Sequence, residues 1–329
     1  MAAVNTTTPC FIDAAASGRA LPWPRLIDAQ QAAFAAGELV VPPRAHHALE
    51  AHGAASPVLL VMPAWSAAHG IGTKLVTVFP HNAERFGLPA IHGLYVLADA
   101  ASGRPLAVLD GAELTARRTA AASALASRAL SRPDSRTLLM IGTGRLAREL
   151  PHAHAAVRPI ERVLVWGRSA DAALATAQAL RDGGLPAEAA AVLPAAAAEA
   201  DIVSCATLAE RPVLHGDWLR PGTHVDLVGA FKPTMCEADA RTFERADAVW
   251  CDTLEGALHE AGDIVQAIAA GRFSAARMQG DLAALCRRGG DARSARDASH
   301  ISVFKSVGVA LEDIVAARLA FDFHQSSAP

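Results

Sequence analysis

Leu138-Leu139-Met140-Ile141-Gly142-Thr143-Gly144-Arg145-Leu146-Ala147 reads as a buried strand running into a G-x-G-x-x-A turn and the start of a helix. Gly142 permits the tight turn, Gly144 lets backbone approach a pyrophosphate, and Ala147 allows close helix packing. Phosphates then sit on the helix N-terminus, where unpaired N–H groups favour negative charge. The motif counts because of its setting: further apolar runs follow at 163–166, 201–205, 224–228 and 248–251, separated by helical patterns. Strands alternating with helices indicate βαβ units and a parallel, doubly wound sheet.

The second strand of that series ends Val163-Leu164-Val165-Trp166-Gly167-Arg168-Ser169. An NAD-specific site usually places an acidic residue there for the ribose 2′-hydroxyl, and none is present. Arg168, with Ser169 beside it, either pairs with a 2′-phosphate or is a solvated strand-end arginine; NADP(H) is favoured, with NAD(H) possible.

The 329 residues exceed what one hydrophobic core usually serves, so two domains are expected. The Ser131-Arg132-Pro133-Asp134-Ser135 linker marks the change of texture. Before it, runs at 57–63, 72–80, 92–98 and 106–110 separated by turn signals suggest an antiparallel or mixed sheet, with helical patterns at 21–39 and 113–130. After a charged, Gly-rich stretch at 287–296, a last apolar run and helix at 301–323 are placed back on the first domain. The expected fold class is α/β: a Rossmann-type domain over 131–296, and an α+β substrate and dimerisation domain over 1–130 and 297–329.

Lys plus Arg number 30 against 33 Asp plus Glu, which leaves no electrostatic footprint for nucleic acid or an anionic membrane. The expected partner is a small molecule. Five cysteines (Cys10, Cys205, Cys236, Cys251, Cys286) in no C-x-x-C pair read as reduced thiols, and with no export signal they suggest a cytoplasmic protein. His46-His47 and His152-x-His154 lack the spacing of paired ligands, so they read as surface or helix-face histidines and no metal site is expected.

Lysine is scarce: Lys74, Lys232 and Lys305 are the only three, in a chain rich in arginine. Lys74 sits in a run that should be half buried, and an unpaired buried ammonium is costly. It therefore expects an anion, either a substrate carboxylate or an internal ion pair. Arg44, after Pro42-Pro43, and Arg118 are two further cations near turn or strand positions of this domain.

Several strings in order carry a resemblance: Asp99-x-x-x-Gly103-x-Pro105-x-Ala107-x-Leu109-Asp110-Gly111, Leu114-Thr115-x-x-Arg118-Thr119-Ala120-Ala121, Ile141-Gly142-Thr143-Gly144, Val165-Trp166-x-Arg168, Gly222-x-His224 to Gly229, and Val303-Phe304-Lys305-Ser306-Val307-Gly308. Together they resemble the ornithine cyclodeaminase and mu-crystallin family. The resemblance implies a homodimer acting at the Cα–N bond of amino or imino acids. It assigns Arg44, Lys74 and Arg118 to a substrate carboxylate cradle. Thr119, Gly142, Thr143, Gly144, Arg145, Leu146, Arg168, Ser169, Thr207, Val228, Gly229, Ala230 and Phe231 are assigned to the cofactor.

Cyclodeaminases of this family carry an Asp where this chain has Phe231 in Gly229-Ala230-Phe231-Lys232-Pro233. Without that carboxylate the deamination lacks its acid/base, which favours a reductase. Phe231 either dries the nicotinamide pocket or simply packs. The resemblance implies a reductase of cyclic ketimines, Δ1-pyrroline-2-carboxylate before Δ1-piperideine-2-carboxylate, with Lys74 and then Asp226 as candidate proton donors. The rival readings are an ornithine cyclodeaminase using NAD+, an amino-acid dehydrogenase, and a non-catalytic NADPH-dependent binding protein.

Overall fold

The computed structural model describes residues 8–49, 57–288 and 298–327. The chain divides into two compact units, one of residues 1–33, 37–118 and 309–329, the other of residues 34–36 and 119–308.

The first unit opens with β1 (Cys10–Ile12), α1 (Ala14–Ala20) and α2 (Trp23–Ala36). Gly37 at φ 65° stops α2, and its N–H closes on the Ala33 carbonyl at 3.2 Å. There follow β2 (Ala45–Ala48), β3 (Val58–Ser66), β4 (Gly70–Val78), α3 (Asn82–Phe86), β5 (Ile91–Ala98), β6 (Pro105–Asp110) and α4 (Gly111–Leu130). The strands form one mixed sheet, ordered β1-β6-β5-β4-β3-β2, in which β1 pairs parallel to β6 and the other pairs are antiparallel. Strand alternation gives the sheet two faces. One buries Ala64, Tyr95, Leu97, Ala107 and Leu109. The other leaves Trp65, Ile71, Leu75 and Leu94 exposed.

The second unit contains β7 (Thr137–Ile141), α5 (Leu146–Ala155), β8 (Arg162–Trp166), α6 (Ala170–Asp182), β9 (Ala187–Ala189), α7 (Leu193–Glu199), β10 (Ile202–Cys205) and β11 (His224–Leu227). It continues through α8 (Ala240–Arg245), β12 (Ala248–Cys251), α9 (Leu254–His259), α10 (Gly262–Ala269), β13 (Met278–Asp281), α11 (Leu282–Arg287) and β14 (Ser302–Lys305). Among the described residues its eight strands are all parallel, in the order β13-β12-β14-β11-β10-β7-β8-β9. The buried apolar runs, such as Leu138–Ile141, suit a sheet covered on both faces. From β7 the chain winds outward to β8 and β9, then returns to β10 on the other side of β7. The carboxyl ends of β7 and β10 thus flank the switch point where doubly wound sheets open a crevice.

Three expectations shift. The terminal segment 297–329 does not travel as one piece: β14 inserts between β11 and β12, and from Val309 onward the chain groups with the first unit as α12 (Ala310–Ser326). Both runs are apolar, and only strand pairing distinguishes their destinations. The second half of α4, from Thr119, likewise groups with the parallel sheet. The alanine-rich run at 189–200, whose composition reads as one helix, is helical only over α7 and begins at the end of the short strand β9. The expected boundary at 296–297 lies outside the described residues, as does the Gly-rich stretch from 289 on.

Candidate active site

Lys74 lies mid-way along β4, on the face packed by α12, between Met62 of β3 and Tyr95 of β5 in register. It is 2% exposed, and its Nζ reaches both oxygens of Asp313, at 2.9 and 2.8 Å. Arg118, in α4, donates from a terminal guanidinium nitrogen to Glu312 Oε2 at 2.5 Å, and its Nε lies 3.0 Å from Asp313 Oδ1. Glu312 and Asp313 have no exposed surface. They occupy the first turn of α12, where the helix dipole favours carboxylates. The α2 side chain of Gln30 holds the Arg118 carbonyl at 3.0 Å, fixing α4 at this point.

Burial and the neighbouring Arg118 charge push the Lys74 ammonium down to about 8; Asp313 opposes this through charge and hydrogen bond, and half-buried Arg44 adds to it. Arg118 and Arg44, the other two cations named from sequence, thus both act on Lys74. Tyr95 is fully buried beside them, its phenol held well above its ordinary range by burial and the Asp313 charge. The anion Lys74 was expected to need includes an internal one, Asp313. Cations already paired with buried carboxylates keep their positions without ligand, and a small anion meets a preorganised site.

In the other unit, Gly142 has φ 125°, and a Cβ there would lie 2.5 Å from the Ala206 carbonyl oxygen. Only glycine makes this turn. A Cβ on Gly144, by contrast, meets nothing within 4 Å, so its backbone borders open space. Arg145 precedes α5 without capping it by a side chain. An uncapped helix N-terminus beside a glycine with open space fits a dinucleotide pyrophosphate. Thr143 packs against Gly167, where a Cβ would lie 2.6 Å from its methyl. Leu146 begins α5, and Thr119 is buried in α4.

Arg168 is exposed just beyond β8, while Ser169 Oγ accepts from Ala172 N at 3.2 Å and caps α6. Thr207 follows β10, and its hydroxyl is committed to Glu237 at 2.9 Å. Val228, Gly229 and Ala230 are buried after β11, and Phe231 is half-buried.

Asp226, the second candidate proton donor, is committed to side chains of its own unit. It is fully buried in β11, accepting from Ser204 Oγ at 2.6 Å and facing His154 Nε2 at 3.3 Å. Burial raises its proton affinity, but the bonds and charge of His154 and the Ser204 bond outweigh this and hold the carboxyl below its ordinary range. His154, read as a helix-face histidine, is thus a buried partner of that carboxylate.

Glu312, Asp313 and Glu237 were not singled out from sequence. The available signal was two adjacent acids inside an apolar helical run, Val309-Ala310-Leu311-Glu312-Asp313-Ile314-Val315. Buried acids of that kind need partners.

The family model described as "Ornithine cyclodeaminase/mu-crystallin family" matches residues 22–328. The chain belongs to this family. Among curated relatives it is 44% identical over 270 residues to the Δ1-pyrroline-2-carboxylate reductase of Paracoccus denitrificans, covering 80% of this chain and 83% of that one. Among solved structures it superposes on the Thermococcus litoralis Δ1-pyrroline-2-carboxylate reductase in complex with NADH and L-proline, with a TM-score of 0.89 at 30% identity, over 96% of this chain and 98% of the other. An archaeal alanine dehydrogenase dimer with bound NAD aligns with a TM-score of 0.86 at 26% identity, over 97% and 96% of the two chains. Among the described residues, no helix is long and apolar enough to cross a membrane.

Proposed function

We propose that the protein is an NAD(P)H-dependent oxidoreductase that reduces cyclic ketimine carboxylates, Δ1-pyrroline-2-carboxylate to L-proline first and Δ1-piperideine-2-carboxylate to L-pipecolate second. The observation that carries this reading is the group of buried Lys74 and Arg118 with half-buried Arg44, backed by Glu312 and Asp313. The relatives named as pyrroline-2-carboxylate reductases support it.

The substrate carboxylate is held by Arg118 and Arg44, with Lys74 beside them. Lys74 stays protonated near neutrality yet yields its proton more easily than an exposed lysine, because burial and its cationic neighbours disfavour the charge. It protonates the imine nitrogen, and Asp313 holds its Nζ in place. When bound, the reduced nicotinamide supplies the hydride that adds to the imine carbon. Phe231, in place of a cyclodeaminase carboxylate, offers no base to activate water.

NADP(H) is the favoured cofactor in this reading, with NAD(H) accepted. Exposed Arg168 and the lack of an acidic residue at the end of β8 support it. The pyrophosphate rests on Gly142, Thr143, Gly144, Arg145 and Leu146, and Thr119, Ser169, Thr207 and Val228 to Phe231 line the rest. A homodimer belongs to the same proposal, supported by the outward apolar sheet face of Trp65, Ile71, Leu75 and Leu94. So does a cytoplasmic location, supported by the scattered, unpaired cysteines.

The test is three parallel assays on purified protein: NADPH oxidation with Δ1-pyrroline-2-carboxylate, NADPH oxidation with pyruvate plus ammonia, and ammonia release from L-ornithine with NAD+. Rapid turnover in the first is expected. Turnover confined to the second or third overturns the proposal in favour of a dehydrogenase or a lyase, and silence in all three in favour of a binding protein.

A further inference from the structure

One buried carboxylate holds two loops of the second unit at once. Glu237 Oε1 accepts from Thr207 N at 2.6 Å and from Thr207 Oγ1 at 2.9 Å, and Oε2 accepts from Gly229 N at 2.6 Å and Ala230 N at 3.3 Å. Glu237 has no exposed surface. Its own N–H and that of Ala238 donate to Asp263 Oδ1 at 2.6 and 3.0 Å. Asp263, on α10, pairs through Oδ2 with Lys305 of β14 at 3.0 Å, and both are fully buried. Lys305, one of the three lysines, is thus the far end of a chain of contacts that finishes at the Thr207 and Gly229 loops.

The packing around this chain leaves no slack. A Cβ on Gly229 would lie 1.9 Å from the Thr207 carbonyl oxygen, and one on Gly262 would lie 1.9 Å from that of Met235. The segment from Gly229 to Glu237 is therefore wedged between the Thr207 loop and the start of α10. Loop spacing at the carboxyl ends of β10 and β11 is set by what joins the loops, and Glu237 is that join.

We propose that Glu237 is a positioning residue for the cofactor: its carboxylate fixes the distance between the Thr207 loop and the Gly229–Phe231 loop, and through it the affinity for the nicotinamide dinucleotide. This rests on the cofactor site proposed above. Four donors converge on two oxygens, which requires acceptors only. A protonated carboxyl turns one oxygen into a donor facing backbone N–H groups, and a glutamine presents an amide nitrogen there; either forces one loop away.

The groups facing Glu237 are Asp263 from α10, Lys305 from β14, Cys205 from β10 and its chain neighbour Cys236. Burial raises both thiols, so they stay neutral around pH 7. Burial also lifts the Glu237 carboxyl to about 7, with Lys305 opposing and Asp263 adding to the rise. Loop spacing then responds to pH near neutrality.

The experiment is NADH binding by fluorescence on the intact protein between about pH 6 and 8, for the wild type and Glu237→Gln. NADH is the probe because it lacks the 2′-phosphate, which titrates in this range. The wild type is expected to bind several-fold tighter at the upper end. Glu237→Gln is expected to bind about tenfold weaker or worse, with no pH dependence. A wild-type affinity flat with pH, or a folded Glu237→Gln protein binding as tightly as wild type, overturns the inference. If the variant does not fold, the wild-type series alone decides. A wild type that binds neither NADH nor NADPH at any pH overturns the cofactor site itself, and the inference with it.

Discussion

The lysine cluster of the first unit and the glycine turn of the second handle anions in opposite ways. At Lys74 the charges are buried, full and already paired, with carboxylates 239 and 194 residues away in sequence from their cations. At Gly142 to Leu146 there is no buried charge. The turn offers backbone N–H groups, a helix end and open space over Gly144. The first arrangement suits a small carboxylate that must be oriented to a fraction of an ångström. The second suits a pyrophosphate that need only be held.

The sharpest way to separate these regions is to remove the central cation. Lys74→Ala is expected to lower imine turnover by about 10²–10⁴-fold while NADPH binding, measured by fluorescence, is unchanged. Loss of both together breaks the division of labour.

Asp313→Asn tests whether the cluster is preorganised by its own carboxylates. Leaving Lys74 and Arg118 short of a buried partner should cost about 3–5 kcal/mol in urea unfolding. It also removes what raises the Lys74 proton affinity, so the alkaline limb of the pH–rate profile moves below the wild-type position near 8. In the wild type, Lys74 titrates lower in the folded chain than its ordinary 10.5. From about 8 to 10 the unfolded chain therefore holds a proton that the folded one has released, and stability rises with pH relative to Lys74→Met. A falling difference across that window contradicts the assignment.

In the cofactor site proposed for the second unit the effects are smaller. Arg168→Ala should weaken NADPH by about 1–3 kcal/mol and NADH much less; equal losses in the two Kd values remove the 2′-phosphate role. Gly144→Val should leave the Tm in place, since its side chain enters open space, while weakening both cofactors several-fold. Gly142→Ala should instead lower the Tm, because its φ of 125° and the Ala206 carbonyl reject a side chain. Matching behaviour of the two glycines would blur the distinction between turn and cradle.

The same contrast decides what was legible in the sequence. The glycine turn is local: strand, turn and helix lie within ten residues and obey fixed periodicities, so β7, β8, β10, β11 and β12 emerge from the pattern almost residue for residue. The cations Arg44, Lys74 and Arg118 also stand out, as charges in apolar or turn settings. Their partners do not, because Glu312 and Asp313 meet Lys74 and Arg118 only once α12 lies on the sheet. Glu237 is hidden for the same reason, its four donors coming from two other loops. Strand β14 reads as an apolar run in any context, and only pairing with β11 and β12 assigns it.

In the proposed reaction, hydride passes to the carbon of a cyclic imine whose carboxylate the lysine cluster holds. It is tested most directly by turning over Δ1-pyrroline-2-carboxylate with NADPH deuterated on each face of nicotinamide C4 in turn, and reading the product by mass spectrometry and NMR. L-proline with one deuterium at C2 is expected from one of the two labelled cofactors. Proline with no deuterium at C2 from either, or no proline at all, would contradict it.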